Sequence, residues 1–410
     1  MQGDERRIAK PALWVAVLCS LVSIGCLAIP MYVIRPFRPQ DPGQLALALT
    51  VRGIGPWLSA VCVLGAIWAV FKGWTRSNRL FGRIGLVFLC VLTIAAACLT
   101  HVNIFEKMFH PYPAPAFVDA NGAHVDIDDK VISVHIGAET HAYPIRIMGY
   151  HHIVNDSVSG VPIAVTYCTL CHTGLVWKRI LDGKTLHFRL AGINNGNALM
   201  RDEETSSIWQ QSTGQAIFGF FKGRQLDLIH SDELTFSLWR AEQPKGLVLK
   251  PDAKYESEYE TKDWEQHIEK THTVIDTRKS GIAPHELMLG MIVSGESKAY
   301  PVKSILAAKL IQDEIAGIPV LIVVGPDQAS MRVFQVDSTS GATTFLPLEN
   351  GNQTGMSGLM KDAATESVWD FQGCAVQGKL AGHCLKQLNA NKDYWFDWMN
   401  HHPATLVFKG

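Results

Sequence analysis

The chain has 410 residues, a length that suggests two or three domains. Its hydrophobic fraction of 47% is ordinary for a globular chain. A net charge of -1 provides no global field to draw nucleic acid or an acidic partner, so nucleic-acid binding is set aside.

The average hides a sharp division. Residues 12–34, 45–71 and 84–105 are three apolar runs, each long enough to cross a bilayer. The first resembles a signal peptide, but its length and the spans after it make it an anchor. Arg52 lies near one end of the second run, where its head group can snorkel. Residues 1–108 therefore read as a three-helix membrane domain in contact with lipid.

Arg6, Arg7 and Lys10 precede the first run, and Lys72, Arg76, Arg79 and Arg83 separate the second from the third. With three spans these two segments share a side. The opposite side carries Arg35, Arg38, Lys107 and, at the end of its run, Arg52, still fewer than the seven on the first side, so the positive-inside rule predicts a cytoplasmic N-terminus. The expected location is the inner (cytoplasmic) membrane, multi-pass, with the C-terminal domain periplasmic or extracellular. Cys19, Cys26, Cys62, Cys90 and Cys98 fall in the spans and read as small lipid- or helix-facing residues. Cys168, Cys171, Cys374 and Cys384 fall in the exported part, where disulfides form.

The exported part repeats itself. Residues 137–168 resemble 294–325, sharing Ala-Tyr-Pro at 142–144 and 299–301, Asp156 with Asp313, and Gly-x-Pro at 160–162 and 317–319. Residues 206–223 resemble 366–382, and 238–249 resemble 397–408. A period of roughly 160 residues is too long for a solenoid and reads as two copies of one domain. The expected fold is three N-terminal transmembrane helices followed by a mostly β (α+β) duplicated extracytoplasmic domain. The first repeat covers 115–249, a charged linker 250–285, and a second, degenerate repeat 286–410.

Within each copy, short helices are expected at 144–158 and 301–315. A hairpin is expected around Asp182-Gly183, joining 173–180 to 184–192. Its second-copy equivalent turns through 337–341. Further hairpins are expected over 214–229 and 373–388.

Cys168, Cys171 and His172 form C-x-x-C-H within VTYCTLCHTG, residues 165–174. The second copy has Gly325 and Gln328 where the first has the cysteines, so the fold does not need the pair twice. The stretches HHIVND (151–156), YCTLCH (167–172), NNGNALMRDEETSSIWQQSTGQAI (194–217) and HHPATLVF (401–408) together resemble the family called domain of unknown function 3179 (DUF3179). The resemblance covers roughly residues 130–410. It implies a mostly extracytoplasmic domain without an assigned activity. Typical members carry Pro where this chain has Thr169 and Gly where it has His172, so C-x-x-C-H is a departure from the family pattern.

Four chemistries compete for the motif. The leading one is a metal knuckle in redox or metal handling, with Cys168, Cys171 and His172 as ligands and His151 and Met200 completing the shell. Two thiolates, imidazole and thioether suit copper, and Cys2His2 with His151 suits zinc. The second is haem c, covalently held by the cysteines with His172 axial and Met200, His151 or His187 distal, making an electron carrier. The third is a thiol–disulfide oxidoreductase, in which Cys168 and Cys171 are redox thiols. A structural disulfide, leaving a non-catalytic binding module, is the fourth. Whether the protein is an enzyme stays open, and an extracytoplasmic redox or metal-delivery partner is expected.

Cys374 and Cys384 read as a cross-strand disulfide of a hairpin. Asn155 and Asp156 read as turn formers, and Asn194, Asn195 and Asn197 as a turn or a pocket lining. Trp209 and Trp369 recur at matched places and read as core. His401 and His402 read as core or exposed residues, with reach toward the site from the other copy as the alternative. No Ser-His-Asp triad, phosphate loop or paired carboxylates stand out.

Overall fold

The computed structural model of the chain describes residues 5–76, 80–112, 114–336, 341–342, 344–348 and 358–410. Two units are distinguished, residues 1–108 with 191–195, and residues 109–190 with 196–410.

Apolar runs in hydrocarbon must satisfy their own backbone groups, which a helix does locally. The first unit accordingly holds α1 (Glu5–Val33), α2 (Pro42–Arg76), α3 (Leu80–Thr100) and the short α4 (Ile104–Met108). Three of them are long and apolar enough to cross a membrane, over Pro11–Val33, Pro42–Thr75 and Leu80–Thr100. Large side chains such as Trp14, Leu18, Trp57, Leu64 and Phe88 face outward, while Ala16, Ala66 and Ala69 are buried. Small residues let the helix backbones approach. A Cβ on Gly65 would stand 2.8 Å from the Cys19 sulfur, so α1 and α2 pack through a glycine. The Ser20 and Thr93 hydroxyls, 2.9 Å apart, bridge α1 to α3.

The second unit is mostly β. Strands Asp232–Thr235, Lys130–Ile136, Glu139–Pro144 and Leu247–Leu249 lie in that order in one sheet, with Phe117–Asp119 at its edge. Ala390–Tyr394, Leu287–Val293, Glu296–Pro301 and Leu406–Val407 lie in the same order in another. The order Leu228–Ile229, Thr173–Lys178, Val161–Cys168, Ile153–Val158 is matched by Lys386–Leu388, Met331–Gln335, Ile318–Val324, Leu310–Ile315.

Side-chain anchors recur with the strands. Asp156 accepts from Tyr143 and pairs with His141, and Asp313 accepts from Tyr300 and pairs with Lys298. Asn155 clamps the Phe188 backbone through both amide atoms, and Gln312 clamps Phe345 in the same way. Trp209 and Trp369 are fully buried, and their indole N–H groups donate to Asp202 and Asp362.

The halves share a core in which Val131, Leu234 and Trp239 meet Leu321, Phe334 and Trp369. Beside it Arg332, 7% exposed, forks onto Glu242 and also bonds Asp232. An arginine this buried persists because its donors are met by paired acceptors.

Three local expectations are corrected. The helices α5 (Ile145–His151) and α8 (Val302–Ala308) stop at residues of positive φ, His152 at 60° and Lys309 at 64°. The β-branched residues that follow continue as strands Ile153–Val158 and Leu310–Ile315. Asp182 and Gly183 both have positive φ, as a two-residue hairpin turn requires, but only Ile180–Leu181 and Lys184–Thr185 pair across it. The longer strands on either side join different sheets. The equivalent turn at 337–341 lies largely outside the described residues.

The charged segment 250–285 is largely exposed, but it is anchored at Trp264. It contains α7 (Trp264–Ile268), and Trp264 is buried in an apolar cluster with Tyr167 and Val165. Helices α6 (Phe236–Glu242) and α9 (Trp395–His401) close the two halves.

Candidate functional site

A nearly continuous apolar run carries strand Val161–Cys168 into the core, and Thr173–Lys178 returns beside it with Thr173 opposite Cys168. The reversal is a turn in which His172 N–H donates to Thr169 O and His172 has φ 59°. Cys168 and Cys171 thus end on one side of the turn. Their sulfurs lie 3.6 and 3.9 Å from the Gly196 carbonyl oxygen, so both thiols are gathered on one acceptor. Both cysteines are free, and they are 2% and 0% exposed. Gly196 has φ 99°, and a Cβ there would stand 2.8 Å from the Phe396 ring. Only glycine fits between that ring and the sulfurs.

Two carboxylates from the junction of strand Ala390–Tyr394 with α9 approach the same turn. Thr173 Oγ1 donates to Asp393 Oδ1 at 2.8 Å and lies 3.3 Å from Asp397 Oδ2. Asn197 Nδ2 lies 3.0 Å from Asp397 Oδ2, 3.0 Å from Gln211 Oε1 and 3.2 Å from Cys171 Sγ. An amide has two hydrogens for these three acceptors. Tyr394 N–H donates to Cys171 O at 2.8 Å, and His401 Nδ1 stands 3.3 Å from Asp397 Oδ1.

Burial, reinforced by the neighbouring Asp397, pushes the Asp393 carboxyl well above the usual range. Burial, the bond to Cys168 and the two carboxylates push the Cys171 thiol well up. Burial alone would lower His401, and Asp397 more than reverses it. Cys171 is therefore a thiol at neutral pH, and Asp393 is biased toward its protonated form.

His172 turns away from the sulfurs. Its Nε2 lies 2.7 Å from Glu265 Oε1, on which Lys130 Nζ also sits at 2.6 Å. The ring stacks on Trp264 at 5.4 Å. Burial would raise the Glu265 carboxyl, but His172 and Lys130 outweigh it and hold it at about 2. Glu233 pairs with Lys392 alongside.

Of the sequence-derived candidates, Cys168 and Cys171 come together and the others do not join them. His151 engages the His110 carbonyl through Nδ1 and Tyr259 OH through Nε2. Met200 faces Trp209 on the neighbouring strand, so by strand alternation it lies on the opposite side of its strand from Asn197. His187 pairs with Glu204 and is half exposed. Among the described residues, no three His, Cys, Asp or Glu side chains form a group able to hold a metal ion. Covalent haem does not fit either: His172 Nε2 is engaged by Glu265, and both sulfurs are packed beneath Gly196. Cys374 and Cys384 are disulfide-bonded and pair across antiparallel chain segments.

Sequence reading missed Thr173, Glu265, Asp393 and Asp397. One signal was available for the last two. The similarity of 238–249 to 397–408 sets Leu238 opposite Asp397, and its extension sets Leu234 opposite Asp393.

No curated protein and no solved structure matches the chain. The family model described as Protein of unknown function (DUF3179) matches residues 112–405, which take in the cysteine turn and the carboxylate pair, and the chain belongs to that family.

Proposed function

We propose that this is a membrane-anchored thiol redox protein, whose Cys168/Cys171 pair cycles between dithiol and disulfide outside the cytoplasm. The observation that carries the reading is the pair of free, buried sulfurs gathered on one carbonyl oxygen. A C-x-x-C pair whose sulfurs share one neighbour closes into a disulfide by side-chain rotation with little backbone movement. Burial of both side chains favours a small disulfide over a folded protein as exchange partner. Cys168 sulfur attacks that disulfide and releases one small thiol. Cys171 sulfur then attacks Cys168 Sγ, and the second small thiol leaves. Two cysteine hydrogens end on the two released thiols, and the reverse sequence reduces the pair.

The positive charges flanking the first two spans support export of the domain, as does the Cys374–Cys384 bond. The test uses full-length protein purified without oxygen and exposed to oxidised glutathione or dithiothreitol. Differential alkylation and peptide mass spectrometry then locate the bonds. The expected result is a reversible Cys168–Cys171 bond. Thiols that stay unlinked at every glutathione ratio would refute the reading. Stoichiometric copper or zinc on both sulfurs would replace it with metal handling.

A further inference from the structure

The cysteine turn has a matching turn in the other half. Tyr167 N–H donates to His152 O, and Val324 N–H donates to Lys309 O, where His152 and Lys309 end matching helices. Counting on, Gly325 matches Cys168 and Gln328 matches Cys171. Each turn is covered by a strand–helix corner of the opposite half. Tyr394 at the start of α9 donates its N–H to Cys171 O. Thr235 at the start of α6 donates its N–H to Ser330 Oγ and its hydroxyl to Asp327. On these corners Leu234 and Leu238 match Asp393 and Asp397.

One corner therefore combines Gly325, Gln328, Leu234 and Leu238, while the other combines Cys168, Cys171, Asp393 and Asp397. Leu234 packs in an apolar core with Phe236 and Trp239, so the position matching Asp393 is built soundly without charge. Burying two carboxylates beside two thiols costs stability that the leucines avoid. The reactive groups of both halves nevertheless coincide at one place.

We propose that Asp393 and Asp397, held by Thr173 and Asn197, are the proton-accepting pair of the Cys168/Cys171 centre. The proposal rests on the thiol redox reading and adds which groups carry the proton. With a small thiol joined to Cys168, the Cys171 S–H proton passes to the ionised carboxylate of the pair. The Cys171–Cys168 bond forms, and the small thiolate leaves and collects a proton. The groups facing the pair are Cys168 and Cys171 from the turn, Thr173 from its strand, Asn197 and Gln211 from the neighbouring sheet, and His401 from α9. Of these, the cysteines and His401 titrate.

The test compares full-length wild type with Asp393→Asn, Asp397→Asn and the double Asp393→Leu/Asp397→Leu variant. The double variant reproduces the residues of the matching corner, which guards against a mere folding failure. The rate of Cys168–Cys171 bond formation by oxidised glutathione is followed across pH, with thermal unfolding as the fold control. The expected loss at neutral pH is on the order of 10²-fold, the scale of a lost general base. The variant rates should then track hydroxide concentration instead of levelling where the pair titrates. Folded variants that keep the wild-type rate and pH profile overturn the proposal. Wild type that never forms the bond overturns the redox reading itself, and this proposal with it.

Discussion

Replacing Glu265 by Gln tests whether the segment between the halves helps hold the site. The Glu265 carboxylate accepts contacts from buried His172 and from Lys130. Its pKa is lowered from 4.5 to about 2 in the folded chain. At about 1.36 kcal/mol for each pH unit, that shift corresponds to roughly 3.4 kcal/mol. With 34% of the side chain open to water, screening reduces this to about 1–2 kcal/mol. The folded pKa lies below the unfolded one, so this stability is fully present above about 4.5 and drains as the pH falls toward about 2. Urea unfolding of the detergent-solubilised chain at neutral and acid pH measures it. Wild type should lose more stability on acidification than Glu265→Gln, and the two curves should converge in acid. Equal pH slopes for the two proteins would refute the linkage.

Three further changes probe the surrounding structure. Thr173→Val keeps the shape but removes the hydroxyl shared by Asp393 and Asp397, and should cost about 1–3 kcal/mol in urea unfolding. Gly196→Ala drives a methyl to within 2.8 Å of Phe396 at a φ of 99°, so thermal unfolding should fall and Cys168 should alkylate faster in the native protein. Cys374→Ser/Cys384→Ser opens a link spanning 10 positions and should cost about 2–3 kcal/mol, abolishing the destabilisation that dithiothreitol causes in wild type. The matching segment in the first half pairs Gln215 with Gln225 and holds its shape without a bond, so the double variant should still fold.

Comparing the halves separates fold from function better than motif matching does. Asn155 and Asp156 sit in the stretch that resembles the family, yet their partners recur at Gln312 and Asp313, so they belong to the scaffold. Lys298 stands where the first half has His141 and makes the same carboxylate contact, so His141 belongs to the scaffold as well. Cys168, Cys171, Asp393 and Asp397 have no chemical counterpart in the other half.

The three spans and much of the strand pattern were legible because each depends on neighbours in sequence, although Ile153–Val158 and Leu310–Ile315 read as helix. A helix satisfies its own backbone, strand alternation places every second side chain, and a short turn reverses the chain. The surroundings of the cysteines were not legible. Thr173 meets Asp393 across 220 positions, and Glu265 reaches His172 across 93, from a segment whose charge suggested solvent. His172 adjoins Cys171 in sequence, but in the turn its ring leaves the sulfurs for Trp264 and Glu265. Local periodicity says which face a residue occupies, but only the packing of the halves decides what lies opposite that face. There, Asp393 and Asp397 were brought beside a pair of buried thiols.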